Sequence, residues 1–156
     1  MAIYKAAESI SERDHSLETV FLAGSIDMNM AINWQNYCEE ELGDLYNVLN
    51  PRREEWNSEW KQEIENPNFK EQVEWELKGL EEASVIILFF DKATKSPISL
   101  LEFGLYARSG KLMVVCEDGF WRKGNVDIVC NRYGIKQFNS LDEIIQKLRK
   151  NEHKKY

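Results

Sequence analysis

One acidic side chain, Glu102, lies in an otherwise apolar and small-residue stretch, Ser96 to Gly104. This stretch follows Val85 to Phe90, a run with strong β propensity. In open parallel sheets, the junction between a strand and the next helix is the usual place for a functional site. Leu101 and Phe103 flank the carboxylate, so its burial is costly unless it has a partner or a function. Glu102 is therefore the first candidate for a catalytic residue.

Further polar side chains follow the other predicted strands, in segments 24–27, 50–53 and 117–125. We expect these segments to meet the Glu102 segment at one edge of the sheet, because the carboxyl ends of parallel strands lie together. Their hydroxyl, carboxylate and amide groups suit a polyhydroxylated substrate, whose OH groups both donate and accept. The candidate substrate-binding residues are Gly24, Ser25, Asp27, Arg52, Ser96, Ser99 and Asn125.

Simpler structural explanations exist for several of these residues. Gly24 and Ser25 also fit an ordinary tight turn followed by a helix N-cap. Arg52 also fits a surface charge paired with the acidic residues that follow it. Glu76, inside a charged helical segment, would ordinarily face solvent. Glu102 fits such an explanation less well than the others because of its apolar neighbours.

The elements that must position these residues alternate between strand and helix, which predicts right-handed crossovers and a covered parallel sheet. We expect an α/β fold, a flavodoxin-like or Rossmann-like three-layer sandwich with a five-stranded parallel sheet. A single domain would span residues 1–156, with the polar residues 1–16 as a loose N-terminal extension. The predicted strands are 20–23, 46–49, 85–90, 112–116 and 135–138, and the predicted helices are 31–42, 69–83, 100–109 and 141–150.

Composition excludes several classes of partner. The net charge of −7 argues against a nucleic acid polymer or an anionic membrane, since both attract clustered Lys and Arg. Three widely spaced cysteines, Cys38, Cys116 and Cys130, and two histidines indicate neither a disulfide framework nor a metal site. We expect a cytoplasmic protein with no cofactor, no signal peptide and no membrane span.

Several short runs, in order and with fitting spacing over about residues 20–140, carry a family resemblance. The runs are Val20 to Ile26, Asn50 to Arg53, Phe69 with Gln72 to Leu77, Ser96 to Gly104 and Trp121 to Val126. Together they resemble the nucleoside 2-deoxyribosyltransferase-like proteins, which include deoxynucleoside monophosphate N-glycosidases. The resemblance implies a flavodoxin-like fold and cleavage of the bond between a nucleobase and C1′ of the sugar.

The resemblance also implies roles for individual residues. Glu102, before a Phe-Gly pair, matches the nucleophile that forms a glycosyl ester, which a second base or water then resolves. Glu76 stands where the family usually has an Asp helper, and Asp91 is the alternative for that role. Ser25 and Ser96 match hydroxyls that hold the 5′-phosphate in the monophosphate-cleaving relatives.

One position departs from the pattern of these relatives. They carry a basic residue two positions after the Gly-Ser pair, where this chain has Asp27. A carboxylate repels a phosphate, so we expect a neutral nucleoside to be preferred. Arg52 or Arg53 could still hold a phosphate, which leaves nucleoside and 5′-monophosphate both open.

The family builds its pocket across subunits, which implies a homo-oligomer in which Gly124 to Arg132 reaches a neighbour and Asn125 touches the sugar. Two alternative functions remain: a non-catalytic sensor that binds a nucleotide-derived ligand, and a hydrolase of NAD or a related ribosyl cofactor. A pure sensor has no need of a buried nucleophilic carboxylate. The sequence leaves the base, the sugar, the acceptor and the number of subunits open.

Overall fold

The computed structural model describes residues 2–26, 33–53 and 60–153. The described residues form a parallel sheet of six strands with helices on both faces. The strands are β1 Ile3–Lys5, β2 Thr19–Gly24, β3 Asn47–Asn50, β4 Val85–Phe90, β5 Leu112–Cys116 and β6 Lys136–Phe138. The helices are α1 Trp34–Leu42, α2 Pro67–Glu82, α3 Pro97–Tyr106, α4 Lys123–Tyr133 and α5 Leu141–His153, with a short 3₁₀ helix at Ile10–Glu12.

The three layers follow from two apolar clusters on opposite faces of the sheet. Helices α2, α3 and α4 pack on one face through residues such as Leu80, Phe103 and Val126. Helices α1 and α5 cover the other face through residues such as Cys38 and Ile144. Strands β2 and β4 are buried on both faces, as expected of central strands in a covered parallel sheet. The predicted α/β three-layer sandwich is confirmed.

The sheet has six strands where five were predicted, and the additional strand lies in the segment that was expected to be a loose extension. Ile3–Lys5 forms an edge strand whose residues pair with Val48, Leu49 and Asn50 of β3. An edge strand of three half-buried residues needs backbone pairing more than an apolar sequence, so the pattern of hydrophobic residues gave no signal for it. Ile10, in the 3₁₀ helix, is buried in the core as well.

Strand order explains where a site can form. The order is β1-β3-β2-β4-β5-β6, so the chain moves from β2 to one side and later from β4 to the other. The loops that leave β2 and β4 therefore diverge and open a crevice between them, the topological switch point of an open α/β sheet. Ser25 and the loop from Asp91 to Ser96 lie at this crevice.

Candidate active site

Gly24 ends β2 at the switch point, where two strands approach closely. A Cβ atom on this residue would lie 2.5 Å from the carbonyl oxygen of Phe89 and 2.8 Å from the indole of Trp34. Real Cβ atoms do not come so close to backbone, so any larger residue would push β2 and β4 apart. Gly24 thus sets the distance between the two strands whose ends carry the site.

Three hydroxyls form a compact cluster at the same place. The oxygen of Ser25 lies 2.9 Å from the Thr94 hydroxyl and 2.6 Å from the Ser96 hydroxyl, which are 2.7 Å apart. Ser25 Oγ also accepts the backbone N–H of Asp91 at 2.9 Å, and Thr94 donates to the Asp91 carbonyl at 2.9 Å. Ser25 is fully buried and Ser96 is half-buried, so Ser96 is the hydroxyl of the cluster nearest to solvent.

Ser96 holds a backbone conformation that is uncommon for a residue with a side chain. It has φ 47° and ψ 55°, in the left-handed region, and directly precedes Pro97 at the start of α3. A proline disfavours the right-handed helical conformation in the residue before it, which helps α3 to begin abruptly here. The Ser96 hydroxyl does not cap α3 and instead joins the hydroxyl cluster.

Helix α3 has two different faces. Ser99, Glu102 and Phe103 are buried against the sheet, and the ring of Phe103 packs edge-on to Phe90 at 5.9 Å between centroids. This aromatic contact fixes the rotation of the helix about its axis, and Glu102 lies next to the anchored ring in the sequence. The predicted substrate-binding residue Ser99 lies one turn before Glu102 on the same face.

Glu76 comes to the same region from α2. That helix packs very closely on the sheet, because a Cβ atom on Gly79 would lie 2.7 Å from the ring of Phe21. Gln72, one turn before Glu76, donates its amide N–H to a Glu76 carboxylate oxygen at 2.7 Å and to the Pro51 carbonyl at 3.3 Å. The carboxylate is therefore held by its own helix and oriented from the loop after β3.

The negative charge of Glu76 acts on the ionisation of Glu102. Burial, reinforced by the negative charge of Glu76, raises the pKa of Glu102 to about 8. Burial also raises the pKa of Glu76, while the hydrogen bond from Gln72 and the charge of Arg53 act in the opposite direction. Two interacting carboxylates of this kind titrate as a pair, which retains one proton near neutral pH. Such a pair can supply one carboxylate and one carboxylic acid together.

Arg52 takes part in a chain of polar contacts. Its guanidinium donates to the side-chain oxygen of Gln35 at 3.1 Å, and Gln35 donates to the Ser25 carbonyl at 3.2 Å. Trp34 donates to the same carbonyl at 2.9 Å. Helix α1 and the loop after β3 are thus tied to the end of β2, and the structure connects Arg52 with Ser25 through these groups.

Asp91 is buried at the end of β4, and its carboxylate accepts the N–H of Ala93 at 2.8 Å. Hydrogen bonds thus join Asp91 to Ser25 and to its own loop, rather than to the pair of Glu76 and Glu102. Asn125 lies exposed in the first turn of α4, a helix that was not predicted, since 117–125 was expected to be a loop. Asp27 lies outside the described residues.

Sequence reasoning missed two contributors, Thr94 and Gln72, and it considered Arg53 only as a phosphate ligand, without its effect on Glu76. The guanidinium of Arg53 stacks on Trp60, 5.3 Å from the ring centroid, and acts electrostatically on Glu76. The spacing of four residues between Gln72 and Glu76 was a usable signal, because such residues are neighbours on a helix. Thr94 and Arg53 act through contacts between separate segments, which spacing does not reveal.

Elsewhere, an open cavity of about 570 Å³ lies beyond the ends of β5 and β6, next to Lys123 and Phe138. Neither Glu76 nor Glu102 lines it. In the part of the chain that the structure describes, no three His, Cys, Asp or Glu residues are placed to hold a metal ion. None of the described helices has the length and apolar character needed to cross a bilayer.

Comparison with known proteins gives one family. The model of the nucleoside 2-deoxyribosyltransferase-like family matches residues 18–120, more than half of the chain. The match includes both carboxylates and the hydroxyl cluster, while Asn125 lies beyond it. No curated protein matches the chain. With the sheet, the switch point and the pair of carboxylates in place, the chain belongs to the nucleoside 2-deoxyribosyltransferase-like family.

Proposed function

We propose that this protein cleaves the N-glycosidic bond of a nucleoside, with Glu102 as the nucleophile, and transfers the sugar to another base or to water. The observation that carries the proposal is the pair of interacting carboxylates, Glu102 and Glu76, near the switch point of the sheet. Breaking this bond needs an acid for the leaving base and a nucleophile for C1′, and a pair with one proton supplies both.

In the first step, a carboxylate oxygen of Glu102 bonds to C1′ while the bond from C1′ to the base breaks. The electron pair of that bond leaves with the base, and the proton from Glu76 neutralises it. In the second step, a nitrogen of another base or the oxygen of water attacks C1′. The electron pair of the ester bond returns to Glu102, and the acceptor's proton passes to Glu76. Two displacements give net retention at C1′.

The proton has to be on Glu76 when the bond from C1′ to the base breaks. In the free protein Glu102 has the raised pKa of about 8, while Gln72 and Arg53 favour the ionised form of Glu76. The proton therefore rests on Glu102 until substrate binds. Positive charge that develops at C1′ favours the ionised form of Glu102 and moves the proton to its partner. A pair with both carboxyl groups protonated lacks the nucleophile, and a pair with both ionised lacks the proton donor.

The remaining predicted residues are assigned to substrate binding. Ser96 offers its hydroxyl to the 5′ end of the sugar, and Ser25 positions Ser96 through the 2.6 Å contact. Gly24, Arg52 and Asp91 shape the crevice, and Ser99 lies next to the nucleophile on α3. Asp27 disfavours a 5′-phosphate. The proposed chemistry uses neither a cofactor nor a metal ion.

A second copy of the chain is proposed as the partner. The outer face of α3 exposes Ile98, Leu101 and Leu105, each more than half accessible, at spacings that form one stripe. An apolar stripe on the helix that carries Glu102 fits an interface between subunits. Asn125, exposed on α4, would then serve a neighbour's site. Sedimentation showing a fully active monomer would contradict this arrangement.

The test is incubation of the protein with a panel of deoxynucleosides, ribonucleosides, their 5′-monophosphates and NAD, with and without a free acceptor base. Chromatography should show release of a base from at least one nucleoside, and a new nucleoside when an acceptor is present. Glu102→Gln serves as the inactive control. Ligand binding without any turnover would instead support a sensor, and cleavage of NAD alone would support a ribosyl cofactor hydrolase.

A further inference from the structure

Two buried polar atoms beside Glu76 have no hydrogen-bond partner within the described part of the chain. One is the side-chain oxygen of Gln72, an acceptor, and the other is Nε of Arg53, a donor. Buried polar groups are almost always paired, because an unpaired one keeps the full cost of leaving water. Two orphan atoms of opposite character at a candidate active site therefore point to a ligand that satisfies both.

The orientation of the Gln72 amide is fixed by its other contacts. Its nitrogen lies 2.7 Å from a carboxylate oxygen of Glu76 and 3.3 Å from the carbonyl oxygen of Pro51. The Pro51 oxygen can only accept a hydrogen bond, so a flipped amide would place two acceptors against each other. The atom left without a partner is thus the oxygen.

Two observations place the Arg53 side chain close to Glu76. Its guanidinium stacks on the ring of Trp60, and its charge acts on the Glu76 carboxylate. Stacking restrains the plane of the guanidinium, so that Nε–H offers one directed hydrogen bond. Gln72 lies on α2 with Glu76 and contacts Pro51, two residues before Arg53, so the loop after β3 brings Arg53 to the same side of α2.

We infer that Gln72 and Arg53 recognise the nucleobase, by binding an edge on which an N–H donor stands beside an acceptor. The donor of the base would bind Gln72 Oε1, and the acceptor would bind Arg53 Nε–H. This rests on the proposed function, in which Glu76 gives its proton to the leaving base and so must lie next to it. Adenine and cytosine offer such an edge through an amino group beside a ring nitrogen.

The experiment compares two substrates that differ only at this edge: 2′-deoxyadenosine and its analogue without the 6-amino group, or the matching cytidine pair if the panel selects pyrimidines. The wild type should prefer the amino substrate at least tenfold in kcat/KM, since sites built for a hydrogen bond reject analogues that lack it. Gln72→Met should bring this ratio close to one.

The ratio separates base recognition from a positioning role. Gln72→Met also removes the contact with Glu76, and this loss would slow both substrates equally and leave the ratio unchanged. Arg53→Lys keeps the charge near Glu76 but removes Nε–H, so it should weaken discrimination against an analogue with carbon in place of the accepting nitrogen. An unchanged ratio in both variants would overturn the inference, and the two atoms would then simply bind water.

Failure of the inference is distinguishable from failure of the proposed function. Calorimetry with the free base reads the pocket without turnover: the wild type should bind the amino base at least tenfold more tightly than its amino-free analogue. If no nucleoside is cleaved but this preference exists and disappears in Gln72→Met, the base site stands and the proposed reaction fails. Cleavage without any preference between the two bases contradicts the base site alone.

Discussion

Two buried glutamates of this molecule, Glu39 and Glu102, have opposite surroundings. They are almost equally buried, 7% and 8% exposed. Glu39, on α1, forms an ion pair with Lys5 and accepts a hydrogen bond from Asn50 at 2.7 Å. Glu102, on α3, accepts no hydrogen bond from the residues that the structure describes, and its charged neighbour Glu76 is of the same sign.

This difference in surroundings indicates which of the two glutamates has a structural role. A buried carboxylate with a cation and an amide beside it is compensated and contributes to holding β1, β3 and α1 together. A buried carboxylate whose neighbour repels it lowers the stability of the protein. Such arrangements are characteristic of groups that perform chemistry. Burial alone does not distinguish the two, whereas the partners do.

The largest expected effect is the loss of turnover when Glu102, and not Glu39, is made neutral. Glu102→Gln should lower kcat by about a thousandfold or more, because the nucleophile is lost while the shape is kept. Glu39→Gln is the matched control and should keep turnover within about threefold, although it removes the ion pair with Lys5. Steady-state rates of base release measure both. Equal losses in the two variants would mean that Glu102 acts only through the fold.

Removal of the negative charge of Glu76 beside Glu102 should have the next largest effect on turnover. In the wild type, kcat/KM should fall above about pH 8, where the pair loses its last proton. Glu76→Gln removes the proton donor and should lower kcat about a hundredfold. It also lowers the pKa of Glu102, so the decline at high pH should disappear. Glu74→Gln, on the exposed side of α2, is the control and should retain the wild-type profile.

Substrate charge gives a smaller effect. A carboxylate at position 27, outside the described residues, should repel a 5′-phosphate, and one charge pair at about 5 Å and an effective dielectric of about 20 contributes about 3 kcal/mol. The wild type should therefore prefer the nucleoside over its monophosphate at least tenfold in kcat/KM, and Asp27→Arg should reverse the preference. Glu63→Arg makes the same change in net charge and should leave it unaltered. A wild type that prefers monophosphates contradicts the assignment.

The smallest effect is on stability. The pKa of Glu102 is raised from 4.5 to about 8 by folding, so between these values the folded protein binds a proton that the unfolded chain does not. The contribution of Glu102 to stability therefore falls as pH rises through this window. Glu102→Gln should raise the free energy of unfolding by at least about 1 kcal/mol at pH 8 and by less at pH 5, in denaturant titrations. Glu39→Gln should lower the free energy of unfolding at both pH values.

The fold could be predicted from sequence where burial on both faces leaves a continuous apolar run, as in β4 and β5. The fold could not be predicted from sequence where an element is held in place by backbone pairing with a neighbouring strand. β1 has three half-buried residues and pairs through its backbone with β3. α4 was missed because only Val126 and Cys130 are buried in it, among polar residues and Gly124.

The site divides in the same way. Glu102 was predicted because an acid among apolar residues is conspicuous, and Glu76 was predicted through the family motif. Ser25 was expected to contact substrate, and the structure places its hydroxyl inside a cluster with Thr94 and Ser96. Which way a hydroxyl points, and which atoms remain unpaired near it, depend on packing between distant segments. A pattern of residue types does not encode either.

A trapping experiment tests most directly whether Glu102 forms a bond with C1′ of the sugar. A 2′-fluoro arabino-nucleoside destabilises the oxocarbenium-like transition state and slows breakdown of the ester. Intact-mass analysis of the wild type should show one added fluorosugar, and peptide mapping should place it on Glu102. An unmodified protein, under conditions in which the normal substrate turns over, would contradict the covalent intermediate and favour direct attack by water.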